Sequence, residues 1–397
     1  MDRKKIIIAA AAAATSLLTL TAGGLRPDAA LTAAIGTARS TAYLSAGIRL
    51  SGTSTVEAPP STEESSADQA GQALESAAFA ETEEPTEESP ESAEDSASEE
   101  NSARVISRNI LDFSDGVDRT AKGTESGVIV RERFGGYQGD DYIKLPGGGL
   151  VWNCTADSAD SILAAGTTPP ELSIERNTPE PQVLIIHTHT TESYEPYQRT
   201  YYDSGYPSRT RDSEHNMIRV GEALAQKLAD NGISVLHDGT VHDYPSYTGS
   251  YDRSEATIRA ALEEYPSIKM ILDIHRDAIS GGGVRTAPVA EIYGRNAAQF
   301  MIITGCDDGR FGNMPEYSRN LSLACAIQDS SEKLYPGLAR PVLFDYRNYN
   351  QHISTGSLLI EVGSDANSLD EAVYTGELLG HTSSAAVEMW LSATRSP

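Results

Sequence analysis

The sequence predicts an α/β fold, a mixed and largely parallel sheet with helices on both faces, from residue 181 onward. Three observations lead there. Short apolar runs alternate with stretches whose apolar residues recur at helical spacing. The runs are apolar throughout rather than at every second position, as strands buried on both faces are. Clusters of Gly, Pro, Asn and Asp punctuate them.

Residues 183–186, Val-Leu-Ile-Ile, are the first strand of this region. Residues 213–230 form a helix with Met217, Val220, Leu224 and Leu228 on one face. Asn231-Gly232 ends it, because the left-handed backbone of a helix end suits Gly and Asn. A strand at 233–236, a helix at 254–265 and a strand at 268–274 follow. Further strands are predicted at 287–293, 300–304, 342–344 and 358–362, with helices at 317–334 and 369–391. Ligands of such folds sit beyond the carboxyl ends of the strands.

Upstream, residues 105–180 read as a connecting region or small subdomain. Strand-like pieces at 127–131 and 149–152 lie among turn-rich stretches such as Pro146-Gly147-Gly148-Gly149. Residues 26–104 read as a disordered acidic linker. Between Glu57 and Glu100 there are fifteen Asp and Glu and no Lys or Arg, in a background of Ser, Ala, Thr and Pro. Such a block buries too little apolar surface to offset its ordering entropy, and it repels itself. Residues 1–25 are an N-terminal membrane anchor or signal segment, with Arg3, Lys4 and Lys5 ahead of an uncharged run. Basic residues stay on the cytoplasmic side. The expectation is a single-pass protein of the cell membrane with its folded part extracytoplasmic, cleavage and secretion being the alternative. No Cys follows the apolar run, which argues against a lipoprotein.

A net charge of −26 lacks the basic footprint that phosphate backbones need, so nucleic acid is excluded as a partner. Cys154, Cys306 and Cys325 have neither the paired spacing of a metal knuckle nor enough members for a disulfide scaffold. They read as small packed residues.

Three strands run into ligand-type residues. The first leads into His187-Thr188-His189-Thr190-Thr191-Glu192-Ser193-Tyr194, the third passes through Asp273 into His275-Arg276-Asp277, and the last carries Glu361. Glu214 opens the helix between the first two. Imidazoles and carboxylates beside apolar strands cost several kcal/mol unless paired or metal-bound. One divalent ion accounts for all of them together. Two histidines and a carboxylate with an open fourth position is the ligand set of a hydrolytic zinc site. A further carboxylate must then move a proton from water to the leaving amine, and Glu361, on its own strand end, suits that task.

These stretches, with His237-Asp238, the run Tyr247-Thr248-Gly249-Ser250-Tyr251-Asp252-Arg253-Ser254, and Leu359-Ile360-Glu361-Val362-Gly363, resemble the stage II sporulation protein P family from about residue 181 to the C-terminus. The resemblance implies an amidase-like fold and a zinc-dependent N-acetylmuramoyl-L-alanine amidase that strips stem peptides from peptidoglycan, with endopeptidase activity on cross-links in addition. It implies work at the membrane in septal wall thinning and engulfment during sporulation, with stage II sporulation proteins D and M as partners. It assigns His189, Glu214 and His275 to the metal and Glu361 to catalysis. His187 is the alternative first ligand or a supporting contact, since two histidines two apart point the same way if the strand continues. Arg276 and Arg253 are candidates for the carboxylates of the stem peptide. Tyr194, Tyr197, Tyr247 and Tyr251 are candidates for an aromatic rim, and the stretch between Tyr194 and Ser213 for a lid. The competing reading is a catalytically silent wall-binding or scaffold module.

Overall fold

The computed structural model describes residues 102–395. The predicted membrane segment and the acidic linker up to residue 101 lie outside the described residues. Among the described residues no helix is long and apolar enough to cross a membrane.

In chain order the elements are β1 (Val105–Arg108), β2 (Gly127–Glu132), β3 (Tyr142–Lys144), β4 (Leu150–Asn153), α1 (Ala159–Thr167), β5 (Val183–Ile186) and β6 (Tyr201–Tyr202). A 3₁₀ turn (Ser213–His215), α2 (Met217–Asp230), β7 (Val235–Asp238), α3 (Ser250–Glu264) and β8 (Met270–Asp277) come next. Then follow β9 (Ser280–Gly281), β10 (Val284–Ile292), β11 (Arg295–Ala298), β12 (Phe300–Gly305), α4 (Tyr317–Leu334) and β13 (Val342–Asp345). A second 3₁₀ turn (Gln351–Ile353), β14 (Ser357–Ser364) and α5 (Leu369–Arg395) complete the described chain.

The main sheet runs β1-β7-β5-β8-β14-β12-β13-β4-β3. Neighbours are parallel except β14 with β12 and β4 with β3. The alternation of side chains along each strand decides which layer each joins. Val183, Ile185, Leu272, Ile274 and Ile360 face the core shared with Met217, Val220 and Leu224 of α2, Leu321 and Ile327 of α4, and Leu378 of α5. Leu184, Ile186, Leu236 and Ile271 face the other way, onto Ile258 and Ala261 of α3. Helices therefore cover both faces, as predicted.

Residues 105–180 do not stand apart as a subdomain. β1 forms one edge of the main sheet against β7, and β4 with β3 forms the other edge against β13. The strand-like character of β4 was readable, but parallel partners far along the chain leave no local sign of which sheet edge a short strand joins. A second sheet, β11-β10-β2-β6 with β9 on β10, joins this segment to the stretch after Tyr194 through the pairing of β2 with β6.

Candidate active site

The chemistry gathers where β5, β8 and β14, mutually parallel, reach their carboxyl ends. Glu361 is the register partner of His275, and Ile186 that of Asp273. Asp273, His275 and Glu361 therefore share the α3 side of the sheet. After Ile186 the chain turns. The Thr190 hydroxyl donates to the His187 carbonyl (2.7 Å), the Thr191 hydroxyl to Asp243 Oδ2 (2.6 Å), and the Glu192 N–H to the His189 carbonyl (3.1 Å). This turn carries His189 onto the α3 side, its ring edge-on to His275 at 5.2 Å between centroids and stacked on Tyr247 at 4.4 Å. The same turn delivers Glu192. Its Oε2 lies 3.9 Å from His275 Nδ1 and accepts the Arg276 N–H, while Oε1 accepts from Arg209 (3.1 Å).

Burial works against charge on His275, but Asp273, Glu192 and Glu361 outweigh it and hold the imidazole at about 9. Asp273 Oδ1 stands 2.9 Å from His275 Nε2, at ion-pair distance, which leaves Nδ1 as the nitrogen turned toward Glu192. Burial also opposes ionisation of Glu192, yet Arg276, His275, His189 and Arg209 bring its carboxyl below the usual value. His189 goes the other way, lowered to about 4 by burial and by the neighbouring His275. Burial, with Asp277 close by, lifts the Glu361 carboxyl to about 8 against the pull of His275. Its Oε2 is enclosed and makes no hydrogen bond.

Beside Glu361, Tyr349 stacks on Tyr251 at 5.3 Å and accepts a hydrogen bond from Arg347 (2.9 Å). Tyr349 and Asn350 both hold left-handed backbone, φ 45° and 59°, a strained pair that Asn350 secures by donating to the Tyr251 carbonyl and Ser254 Oγ.

His189, His275 and Glu361 are thus brought together, and Glu214 is not. The 3₁₀ turn Ser213–His215 stops at Asn216, whose side chain accepts from the Ile218 N–H and starts α2 afresh. Glu214 consequently points outward, its side chain 71% exposed with Arg219 3.7 Å away. It lines a cavity of about 190 Å³ with Arg119, Tyr206 and Asp370, which none of His189, His275 and Glu361 reaches. Glu192 occupies the place predicted for Glu214. A carboxylate three residues after His189, in a threonine-rich stretch able to close on itself, is the signal that sequence reasoning passed over.

His187 also departs from expectation. Because β5 ends at Ile186, His187 and His189 do not point the same way. His187 is fully buried on the α2 side, where Nδ1–H donates to the Ile274 carbonyl (3.0 Å) and Nε2 meets Nε2 of His237 at 3.0 Å. The first bond fixes the tautomer, so His237 is the donor between the two rings. Arg276 and Arg253 are not free for substrate. The Arg276 guanidinium donates to the carbonyls of Ser193, Asp277 and Ser208, and that of Arg253 to the carbonyls of His242, Thr248 and Ser246. Both fasten loops around the site. Of the predicted aromatic rim, Tyr194 is buried with its hydroxyl on the Val362 carbonyl, whereas Tyr247 stays exposed. The predicted lid is held by β6 and by Arg209, which also pairs with Asp243. Among the described residues no three His, Cys, Asp or Glu side chains already stand in ligating geometry.

The sequence profile of the stage II sporulation protein P family matches residues 37–382. Stage II sporulation protein P of Bacillus subtilis (strain 168) is 31% identical over 202 residues, which are 48% of this chain and 47% of that protein. The match therefore spans about half the length of that relative. Among solved structures, the N-acetylmuramoyl-L-alanine amidase AmiC2 of Nostoc punctiforme is 12% identical, covering 54% of this chain and 99% of its own, at a TM-score of 0.29. The CwlD amidase of Clostridioides difficile, solved in complex with the GerS lipoprotein, is 11% identical over 53% of this chain and 99% of its own, at a TM-score of 0.33. With a profile match that runs through most of its length, the chain belongs to the stage II sporulation protein P family.

Proposed function

We propose that this protein is a peptidoglycan hydrolase that cleaves the amide between N-acetylmuramic acid and L-alanine, with cross-link cleavage as an additional activity, in septal wall thinning and engulfment during sporulation. In this reading residues 1–25 anchor it in the cell membrane with the folded part outside, and stage II sporulation proteins D and M work beside it.

The observation that carries the reading is Glu361, an enclosed carboxyl with an unpartnered Oε2, in register with His275, whose ring meets that of His189, and under the charge of Glu192. Two imidazoles and a carboxylate, His189, His275 and Glu192, are by their chemistry a donor set for zinc, and Asp273 at Nε2 of His275 fits an outer partner that orients a ligand. When bound, such an ion supplies a Lewis acid for the scissile carbonyl and lowers the pKa of a water to roughly 7. Glu361 takes the proton of the attacking water at Oε2 and returns it to the leaving amine nitrogen. A carboxyl lifted toward neutrality both accepts and gives up a proton near pH 7. Tyr251 and Tyr349 wall that carboxyl and limit its access to bulk water.

The test is metal content together with mass analysis of fragments released from purified sacculi. Glu361→Gln should keep its zinc and lose product release by about 10²-fold or more. His275→Ala should lose the metal. A wild-type chain that takes up no metal, releases nothing and still sediments with sacculi would establish the binding-module reading instead.

A further inference from the structure

Resting on that reading, we propose that an exposed ribbon running outward from His189, built from Tyr247, Tyr244, Arg211 and Phe113, is the subsite for the glycan strand on the sugar side of the scissile amide. Tyr247 is 57% exposed and lies flat on His189, with a 17° tilt between the rings. The Arg209 guanidinium sits 5.0 Å over the Tyr247 ring and is neutralised by Asp243 and Glu192. Three residues back along the loop, Tyr244 is 52% exposed, and the Arg211 guanidinium lies 4.3 Å from the ring centroids of both Tyr244 and Phe113. Ser213 Oγ donates to the Leu111 carbonyl (2.9 Å), which holds the 111–113 stretch against this loop.

Half of the eight exposed large hydrophobic side chains among the described residues belong to this ribbon: Tyr247 against His189, Tyr244 on the same loop, Phe113 joined to Tyr244 through Arg211, and Leu111 held by Ser213. Contiguous exposed apolar surface beside a reactive centre marks a contact for something that docks there. Ring faces with polar tips suit pyranose rings, whose C–H faces are apolar and whose rims are hydroxylated. Charge narrows the occupant further. In a chain of net charge −26, Arg211 pairs with no carboxylate among the described residues and is held only between two aromatic rings. A guanidinium fixed in this way is set to take an anionic group. A glycan strand whose sugars carry lactyl carboxylates once the stems are removed offers both the rings and the anions.

The probe is a preparation of peptidoglycan glycan strands freed of their stem peptides, titrated calorimetrically into the full chain carrying Glu361→Gln. This protein should bind the strands, and Arg211→Ala or Tyr244→Ala on top of it should each raise Kd about 5- to 10-fold. Equal thermal midpoints show that the fold is intact, and Arg211→Gln replaces the alanine variant if its midpoint falls. Unchanged Kd in both variants overturns the proposal, as does binding of intact sacculi with none of stem-free strands. Wild-type protein that binds stem-free strands through the ribbon yet releases no fragment from sacculi keeps the ribbon and removes the hydrolase reading, so the two fail separately.

Discussion

Glu192 and Glu214 are both glutamates near the start of α2, yet their surroundings differ sharply. Glu192 is buried, its carboxylate lowered by two guanidinium groups and two imidazoles, while Glu214 reaches into solvent. If the chain holds zinc as proposed, Glu192→Gln should weaken its binding about 10-fold or more and Glu214→Gln leave it unchanged, as measured by competition with a chromogenic chelator. The buried imidazole pair gives a pH prediction. Burial holds His187 at about 4 and His237 at about 3, below the ordinary value of 6.5. Between pH 6.5 and 4 the unfolded chain binds protons that the folded chain refuses, so stability falls as pH drops, by up to about 1.4 kcal/mol per unit for each ring. His275 has the opposite sign. Its raised value contributes stability below 6.5 that is lost as pH rises through about 9, so it adds no slope in the acid window. His189, lowered likewise, adds to this slope, while Glu361, raised to about 8, opposes it. Three rings against one carboxyl leave urea midpoints lower at pH 5 than at pH 7, and a midpoint that rises toward pH 5 would contradict neutral rings. The residue types at the strand ends were legible: His189, His275 and Glu361 meet as their positions suggest. The orientation of His187 was not, because it depends on whether the backbone stays extended past the strand end at Ile186, and the chain turns there instead. Nor were the carbonyl partners of Arg276, which sit on loops distant in sequence, or those of Arg253, which depend on how the loop just before α3 folds back.

At the scale of elements, α2 is set directly upon the imidazole pair. A Cβ at Gly221 would lie 2.5 Å from His187 Nε2 and 2.6 Å from His237 Nε2, so only glycine lets the helix approach this closely. Gly221→Ala should cost about 1 to 3 kcal/mol, because neither ring can retreat without breaking its hydrogen bond, and thermal unfolding reads the loss. The opposite side of α2 has a similar arrangement. A Cβ at Gly376 of α5 would stand 2.6 Å from the Val220 carbonyl. Periodicity reads such elements well: α4 falls at the predicted 317–334. It reads their starts less well, and the case that mattered was the 3₁₀ turn at Ser213–His215. Taken as the first turn of α2, it would aim Glu214 at the sheet edge, and the cap at Asn216 separates the two.

For the whole molecule, the edge strands set what counts as a folding unit. β1 and β4 pair with strands more than a hundred residues further along the chain, and Val151 and Ile162 are fully buried. The boundary drawn at residue 181, where the regular alternation of strands and helices begins, therefore cuts through a single sheet. A fragment beginning at Pro181 leaves β7 and β13 with open edges and strips the cover from α4. It should aggregate and show no cooperative transition by circular dichroism, whereas a fragment from Ser102 should melt cooperatively. The alternation of strands and helices was readable because it is local. The placement of 105–180 on both margins was not, because long-range parallel pairing has no local pattern.

The order in which these strands leave the ribosome has its own consequence. β1 and the β3–β4 pair are synthesised early, yet each waits for a parallel partner, Val235–Asp238 or Val342–Asp345, that emerges later. Assembly thus cannot proceed stepwise along the nascent chain. It must wait for a large share of the polypeptide and then close loops of high sequence separation, the regime of slow folding in which unpaired strands stay exposed longest.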